Sequence, residues 1–194
     1  MITIIDYNSG NIASVCNALK KLGVEFELSS NPDDVANAKK IIFPGVGRAS
    51  YAMKQLRKSG LIDVIKNSKV PFLGICLGLQ LLTDFSEEDE TDCLSIIPGN
   101  VKKFGEGLRV PEIGWNKVFF SKPSPLFRDI DDGRYFYFVN SYYFDEEEFA
   151  VGKTSYGCEF ASVVQKDNFY ATQFHPEKSG EVGLELLSNF CELC

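Results

Sequence analysis

Runs of β-branched and aliphatic residues alternate with segments of helical periodicity through the first 80 residues, and this alternation constrains the fold most strongly. The predicted strands lie at 2–6, 24–28, 40–43 and 70–75. Apolar residues at helical spacing predict helices over 12–22 and 49–65, the second continuous or interrupted near Gly60. Because strands that alternate with helices form parallel βαβ units, we expect an α/β fold whose central, mostly parallel sheet is flanked by helices.

From about residue 100 the pattern changes to short aromatic or β-branched segments separated by turns. These segments lie at 118–120, 135–139, 142–144, 150–155, 160–165 and 169–174. Their composition predicts antiparallel or mixed sheet. Residues 179–190 have the pattern of a closing helix. Because no repeat or linker-like stretch interrupts the chain, we expect a single domain over residues 1–194 with a β-rich second half.

Charge and hydropathy limit the kinds of partner that the chain could bind. The chain carries 27 acidic and 20 basic residues, a formal net charge of −7, which argues against a nucleic-acid-binding face. No apolar run approaches the roughly 20 residues of a membrane helix. The first residues lack the basic start and small-residue cleavage site of a signal peptide. We therefore expect a cytoplasmic protein that binds neither nucleic acid nor membranes.

The chain has six cysteines and one histidine. Its length and the lack of an export signal favour free thiols over a disulfide framework. A single histidine excludes metal sites built from several histidines. The acidic runs at 87–90 and 145–148 are interpreted as solvated loops, with metal binding as the alternative. Cys191 and Cys194 form a C-x-x-C pair without the βαβ context of a redox motif.

Cys76 is placed differently from the other cysteines. It lies between Gly74 and Gly78, directly after a predicted strand and before the helical pattern of 77–82. This is the strand–turn–helix context of a nucleophile elbow, in which side chains at the two glycine positions would collide with the neighbouring strand and helix. A helix amino terminus favours a thiolate, and the Leu77 N–H would face a developing oxyanion. The alternative is a buried structural cysteine.

The only histidine, His175, follows the last predicted strand. Pro176 restricts His175 to extended conformations, and the Glu177 carboxylate is near enough in sequence to orient its ring. A purely structural histidine is the alternative. Cys76, His175 and the segment 44–47 all follow predicted strands, and the carboxyl ends of parallel strands meet at one edge of a sheet. We therefore expect these three features to lie together.

The segments around Cys76 and His175 resemble the two signatures of the class I, triad-type glutamine amidotransferases. The matching residues are Gly74-Ile75-Cys76-Leu77-Gly78 with Gln80, and His175-Pro176-Glu177. Further motifs are similar to those of family members that serve as glutaminase subunits beside a (β/α)8-barrel cyclase in histidine biosynthesis. They are Asp6-Tyr7-x-x-Gly10-Asn11, Pro44-Gly45-Val46-Gly47, Val110-Pro111-x-x-Gly114-Trp115-Asn116, Tyr137-Phe138-Val139-x-Ser141-Tyr142-Tyr143 and Gln173-Phe174-His175-Pro176-Glu177-Lys178-Ser179. The resemblance covers nearly the whole chain.

The resemblance implies the fold of that family and a glutaminase that needs no cofactor or metal. Cys76 would attack the side-chain amide of glutamine, His175 would protonate the leaving ammonia, and Glu177 would orient His175. The implied oxyanion-binding residues are Val46, Gly47 and Leu77. The implied glutamine-binding residues are Gly45, Gln80, Ser141 and Tyr142. The implied interface with the barrel cyclase, in a heterodimer, consists of Asn11, Glu112, Trp115, Tyr137, Asn140 and Lys178.

Two positions depart from the family pattern. Where this chain has Glu112 and Asn140, the family usually has histidine, and both positions are expected near the face that meets the cyclase. Three alternatives stay open. They are a paralogous glutaminase subunit that supplies ammonia for bacterial surface-sugar synthesis, a stand-alone cysteine hydrolase, and a regulatory subunit without catalysis.

Overall fold

The computed structural model describes residues 1–7 and 12–194. Asn11, expected at the partner interface, and the Gly10-Asn11 part of its motif lie outside the described residues. The helices are α1 (Ile12–Lys21), α2 (Pro32–Ala36), α3 (Ala49–Ser59), α4 (Leu61–Lys66), α5 (Leu77–Leu82) and α6 (Gly180–Leu193). The strands are β1 (Ile2–Ile5), β2 (Phe26–Ser29), β3 (Lys40–Gly45), β4 (Phe72–Cys76), β5 (Phe85–Ser86), β6 (Thr91–Asp92), β7 (Asn100–Lys103), β8 (Glu112–Phe120), β9 (Arg134–Asn140), β10 (Tyr142–Phe144), β11 (Ala150–Tyr156), β12 (Cys158–Lys166) and β13 (Phe169–Thr172).

The predicted parallel sheet is present. Five neighbouring strands run in the order β2-β1-β3-β4-β13, and every adjacent pair among them is parallel. Gly45 at the end of β3 is paired with Cys76, and Thr172 at the end of β13 is paired with Ile75. The carboxyl ends of β3, β4 and β13 therefore lie side by side, which confirms that the three candidate features follow strands that end at one edge.

The β-rich second half extends this sheet and adds a branch. β12 is antiparallel to β13, and the sheet continues through β10, β7, β5 and β6. From β12 a branch leads through β11 and β8 to β9, with antiparallel pairing throughout. The prediction of a central, mostly parallel sheet with a β-rich second half is confirmed.

Side chains of the central strands alternate between two apolar layers. Phe43 and Phe72 pack on the side that holds α3, α4 and α5, whereas Ile42 and Leu73 pack on the side that holds α1 and α6. All four are fully buried. Because strands covered on both faces need apolar residues at successive positions, the continuous hydrophobic runs seen in the sequence mark these central strands.

A glycine divides the long helical pattern of 49–65. Gly60 has a φ of +72°, and its N–H donates to the Leu56 and Arg57 carbonyls, so that α3 ends there and α4 begins directly after it. Glycine adopts this left-handed conformation without strain. Of the two predicted forms of this helix, the interrupted one is confirmed.

The structure also differs from the sequence-based expectation. β5, β6 and β7 were not predicted, because two of them span only two residues and β7 ends in two lysines. β13 ends at Thr172 rather than at Phe174, and α6 continues to Leu193. Among the described residues, no helix is long and apolar enough to cross a membrane.

Candidate active site

Cys76 occupies the sharp turn between β4 and α5. Its φ of +55° and ψ of −107° are values that residues with a side chain rarely adopt. Such conformations persist only where the surrounding structure imposes them, and they concentrate at functional sites. The residue is 7% exposed and lines a cavity.

Two glycines make this turn possible. A Cβ at Gly78 would lie 2.0 Å from the carbonyl oxygen of Phe43 on β3, and one at Gly74 would lie 3.0 Å from the backbone of Gly78. Real Cβ atoms essentially never approach other atoms closer than 3.0 Å. The expected collision with the neighbouring strand is confirmed at position 78, whereas a side chain at position 74 would make a tight contact with α5.

His175 follows β13 and is held by backbone and side-chain hydrogen bonds. Its N–H donates to the Tyr137 carbonyl at 2.9 Å, and its carbonyl accepts from the Ser179 hydroxyl at 2.7 Å. Nδ1 lies 2.7 Å from Oε1 of Glu177, and both side chains are almost fully buried. Because a carboxylate only accepts, Nδ1 carries the proton and Nε2 is left for Cys76.

The charges of this group favour a protonated histidine. Burial lowers the pKa of His175, but charge and hydrogen bonding with Cys76, followed by those with Glu177, outweigh burial and raise the pKa to about 10. The imidazolium is thus stabilised by a sulfur on one side and a carboxylate on the other. This is the electrostatic arrangement of a thiolate–imidazolium pair with an orienting acid.

A cavity of about 280 Å³ opens beside Cys76. It lies near the lower end of the range of about 300–1,000 Å³ that is typical of small-molecule sites, so it suits a ligand of amino-acid size. The structure brings to its wall six residues that the resemblance implied for oxyanion or glutamine binding: Val46, Gly47, Leu77, Gln80, Ser141 and Tyr142. Asn140, which was expected at the partner interface, also lines it. Glu88, Pro111 and Val139 also line it and were not predicted.

Gly45 and Gly47 differ in their position relative to the cavity. Gly45 is not among the lining residues, and a Cβ there would lie 2.5 Å from the Tyr7 hydroxyl and 2.9 Å from Cβ of Leu77. The structure therefore assigns Gly45 to close packing beneath the elbow rather than to the cavity. Gly47 lines the cavity with a φ of +98°, which favours glycine.

Gln80 connects the cavity wall to a residue that sequence reasoning left without a role. Its Nε2 donates to the Tyr142 carbonyl and to Oε1 of Gln173, both at 3.1 Å. Nε2 of Gln173 in turn donates to Sγ of Cys76 at 3.6 Å. Gln173 is fully buried, and the signal in the sequence was its place in the family-like motif that contains His175.

The acidic run at 87–90 is not simply the solvated loop that the sequence indicated. Glu88 lines the cavity, and its Oε2 accepts from the Ala49 N–H at 2.8 Å, capping α3. Burial raises the pKa of Glu88. Asp89 forms an ion pair with Arg48 and accepts from the Ser50 hydroxyl at 2.6 Å. No cluster of three or more metal-binding side chains occurs within residues 1–7 and 12–194.

Three of the residues expected at the interface reach the surface. Trp115 on β8 is 54% exposed, and its ring meets that of Tyr137 on β9 edge-on, with centroids 6.0 Å apart. Lys178 is exposed in the short 3-10 helix that contains Glu177. These positions are compatible with a protein contact near the cavity.

The other two residues expected at the interface, Glu112 and Asn140, are not on the surface. They face each other across β8 and β9 and are 3% and 5% exposed. Glu112 Oε1 accepts from Asn116 at 2.8 Å, and burial raises the pKa of the Glu112 carboxyl. Their strand register places them on the inner face of the hairpin, so their side chains are not exposed on the outer face that is expected to meet a partner.

A buried Cys-His-Glu group at the carboxyl edge of an α/β sheet has the arrangement of a thiol-dependent amidotransferase or hydrolase. The family model described as glutamine amidotransferase class-I matches residues 3–193. The chain therefore belongs to the class I glutamine amidotransferase family, as the motifs indicated.

Individual relatives agree with this assignment. The chain is 46% identical to imidazole glycerol phosphate synthase subunit HisH of Maridesulfovibrio salexigens, with 100% of this chain and 97% of that protein covered. It is 47% identical to the HisH subunit of Bacteroides fragilis strain ATCC 25285, covering 99% of each chain, and 48% identical to that of Moorella thermoacetica, covering 99% and 94%.

Solved structures share the fold. A glutamine amidotransferase crystal structure is 19% identical, with a TM-score of 0.78 and coverage of 100% of this chain and 98% of that chain. The glutaminase domain of Trypanosoma brucei CTPS with bound acivicin is 14% identical, with a TM-score of 0.67 and coverage of 98% and 93%. At these identities the likeness concerns the fold alone.

Proposed function

We propose that this chain is the glutaminase subunit of an imidazole glycerol phosphate synthase. It hydrolyses glutamine to glutamate and ammonia, and it passes the ammonia to a (β/α)8-barrel cyclase partner in histidine biosynthesis. The observation that carries this proposal is the meeting of Cys76, His175 and Glu177 beside a cavity of amino-acid size. The subunit names of relatives that match over the full length support the pathway.

The first half of the reaction uses the pair of Cys76 and His175. The thiolate forms a bond to the side-chain carbonyl carbon of glutamine, and the carbonyl electron pair moves to oxygen. When this intermediate collapses, the C–N bond breaks and the His175 proton goes to the leaving nitrogen. Ammonia and a γ-glutamyl thioester result. The raised pKa of His175 keeps that proton available at neutral pH.

In the second half, neutral His175 takes a proton from water, which attacks the thioester. The C–S bond breaks, glutamate leaves, and the sulfur and the imidazolium return to their starting charges. The Glu177 carboxylate holds Nδ1 throughout, so Nε2 keeps facing the reacting atoms.

The negative oxygen that forms in both halves needs donors in a dry site. We assign this role to the backbone N–H of Leu77, at the first residue of α5, and to that of Val46 or Gly47. Gln80, Ser141 and Tyr142 lie on the cavity wall around the place where glutamine would sit.

The cyclase partner is expected on the face that we call the β8–β9 outer face, formed by Ile113, Trp115, Tyr135 and Tyr137. The first three are 61%, 54% and 52% exposed. In the strand register Trp115 opposes Tyr137, and Ile113 opposes Val139, which also lines the cavity. An exposed aromatic face that begins at the cavity edge is suited to receive a partner that accepts ammonia.

The proposal is tested by combining the chain with the barrel cyclase of the same organism and measuring glutamate release and product formation. Cys76→Ala is expected to abolish product formation from glutamine, while added ammonium salt still supports it. The His175→Ala variant is expected to behave in the same way. Glutamine turnover by Cys76→Ala would contradict the mechanism.

The three alternatives that the sequence left open predict different results in such experiments. Product formation only with a sugar-modifying partner would identify the paralogous subunit, and rapid peptide cleavage without any partner would identify a stand-alone hydrolase. If a glutamine-analogue electrophile left Cys76 unlabelled in the folded protein, the chain would be a non-catalytic subunit.

A further inference from the structure

A row of two buried amide side chains runs from the cavity wall to the nucleophile. Tyr142 contributes a backbone carbonyl at one end, Gln80 and Gln173 follow, and the sulfur of Cys76 lies at the other end. Gln173 is fully buried and does not line the cavity, so it has no direct access to a bound substrate. The proposed mechanism gives it no task.

The Tyr142 carbonyl, at the start of this row, determines the orientation of both amide groups. A backbone carbonyl only accepts, so the Gln80 side chain must point Nε2 toward Tyr142. The second proton of the same nitrogen points toward Gln173, which must therefore present its oxygen. The remaining end of the Gln173 amide, its nitrogen, then faces Cys76 at 3.6 Å. The amide cannot be flipped without losing the bond to Gln80.

A donor in this place distinguishes between the two protonation states of the sulfur. Besides His175, Sγ has the Val139 carbonyl 4.0 Å away, which accepts from the thiol and offers nothing to a thiolate. An N–H group from Gln173 does the reverse, because a hydrogen bond to an anion is stronger than one to a neutral group. Of the titratable groups around Sγ, His175 faces it directly, and Glu177 acts on it through His175.

We propose that Gln173 is a positioning residue that holds the Cys76 thiolate through its amide N–H, with Gln80 and the Tyr142 carbonyl setting the orientation of that amide. Only the effect of Gln173 on turnover rests on the proposed glutaminase function. The contact itself is a property of the folded chain, and a reaction without glutamine can test it.

The sharpest variant is Gln173→Glu. One carboxylate oxygen still accepts from Gln80, while the other replaces the donor with an acceptor at nearly unchanged shape. We expect the alkylation of Cys76 by iodoacetamide at pH 7 to slow at least roughly tenfold. Gln173→Leu removes the donor without adding charge, so a smaller slowing in the same direction is expected.

The rate is followed by mass spectrometry of the Cys76 peptide, so that the other cysteines do not interfere. Thr154→Val is the matched control, because it removes another buried hydrogen bond, 2.7 Å from Thr154 to the Ser162 hydroxyl, and none of the side-chain hydrogen bonds that join Gln80, Gln173 and Cys76. Its alkylation profile is expected to equal that of the wild type, even where its stability falls.

The proposal would be overturned if Cys76 were alkylated with the same profile in the wild type, Thr154→Val and the Gln173 variants. Gln173 would then be a purely structural residue. If the leucine variant does not fold, the glutamate variant decides. A second readout uses the complex with the cyclase, in which Gln173→Glu should lower kcat for glutamine by a similar factor and leave KM within about twofold. Because alkylation needs no glutamine, a wild type that releases no ammonia would refute the proposed function without deciding the role of Gln173.

Discussion

Gly78→Ala is the substitution for which the structure makes the sharpest prediction of stability. The new methyl carbon would lie 2.0 Å from the Phe43 carbonyl oxygen, against a practical limit of 3.0 Å, so α5 must move away from β3 by at least about 1 Å. The obstacle is backbone and cannot rotate aside. Overpacking of this kind costs roughly 1–3 kcal/mol, and we take about 3 kcal/mol for a contact this short.

An opposing effect has to be subtracted. Alanine is favoured over glycine inside a helix by roughly 0.5–1 kcal/mol. The net loss in the free energy of unfolding is therefore about 2 kcal/mol. With an m-value of about 2 kcal/mol per molar urea, the midpoint of urea unfolding should fall by about 1 M.

The measurement is urea unfolding followed by circular dichroism. Gly105→Ala is the control, since a Cβ at Gly105 would meet no atom within 4 Å, and we expect its midpoint to stay within about 0.3 M of the wild type. Equal midpoints and m-values for the two variants would refute the packing argument. The same displacement of α5 should also change the alkylation rate of Cys76, which lies at the start of that helix.

Two further outcomes are expected. Glu177→Gln removes a carboxylate that raises the pKa of His175. In the wild type, loss of the His175 proton near pH 10 sets the alkaline limb of kcat/KM for glutamine, so this limb should move to lower pH in the variant. We also expect kcat to fall on the order of 100-fold. An unmoved limb in the pH profile of ammonia release would contradict this. Trp115→Ala truncates the most exposed large ring of the β8–β9 outer face and should weaken cyclase binding by at least roughly tenfold in calorimetry while leaving Cys76 alkylation unchanged. Unchanged affinity for the cyclase would show that the partner binds a different surface.

The sequence was most informative where one local pattern determines structure. The run that contains Gly74, Cys76 and Gly78 predicted a strand, a turn and a helix, and the structure has all three. Glycine at both positions indicated close packing, yet the identity of the obstacle, the Phe43 carbonyl, depends on how β3 and β4 pair. That pairing is a long-range property that a local pattern does not encode.

Sequence reasoning failed where a polar residue owes its place to a distant partner. Glu88 belongs to a run of charges that is typical of solvent-exposed loops, but a bond to the Ala49 N–H draws it to the cavity. Gln173 lies in a strand-like apolar context, and its contacts with Gln80 and Cys76 span more than 90 residues of sequence. Glu112 was expected on the partner face, and strand register turns it inward. Each of these placements depends on a segment that is distant in sequence.

The two halves of the chain supply different parts of the candidate site. The parallel half brings Cys76 and the segment after β3 to one edge, since its strands end together. The antiparallel half supplies the opposite wall through Val139 to Tyr142, and the same hairpin presents Trp115 outward. Residues two apart on a strand share a face, so Val139 at the cavity and the rings of Tyr137 and Tyr135 lie along the same face of β9, which runs from the cavity edge to the expected partner surface. On this argument, the β-rich half couples the place where ammonia forms to the surface where it would leave.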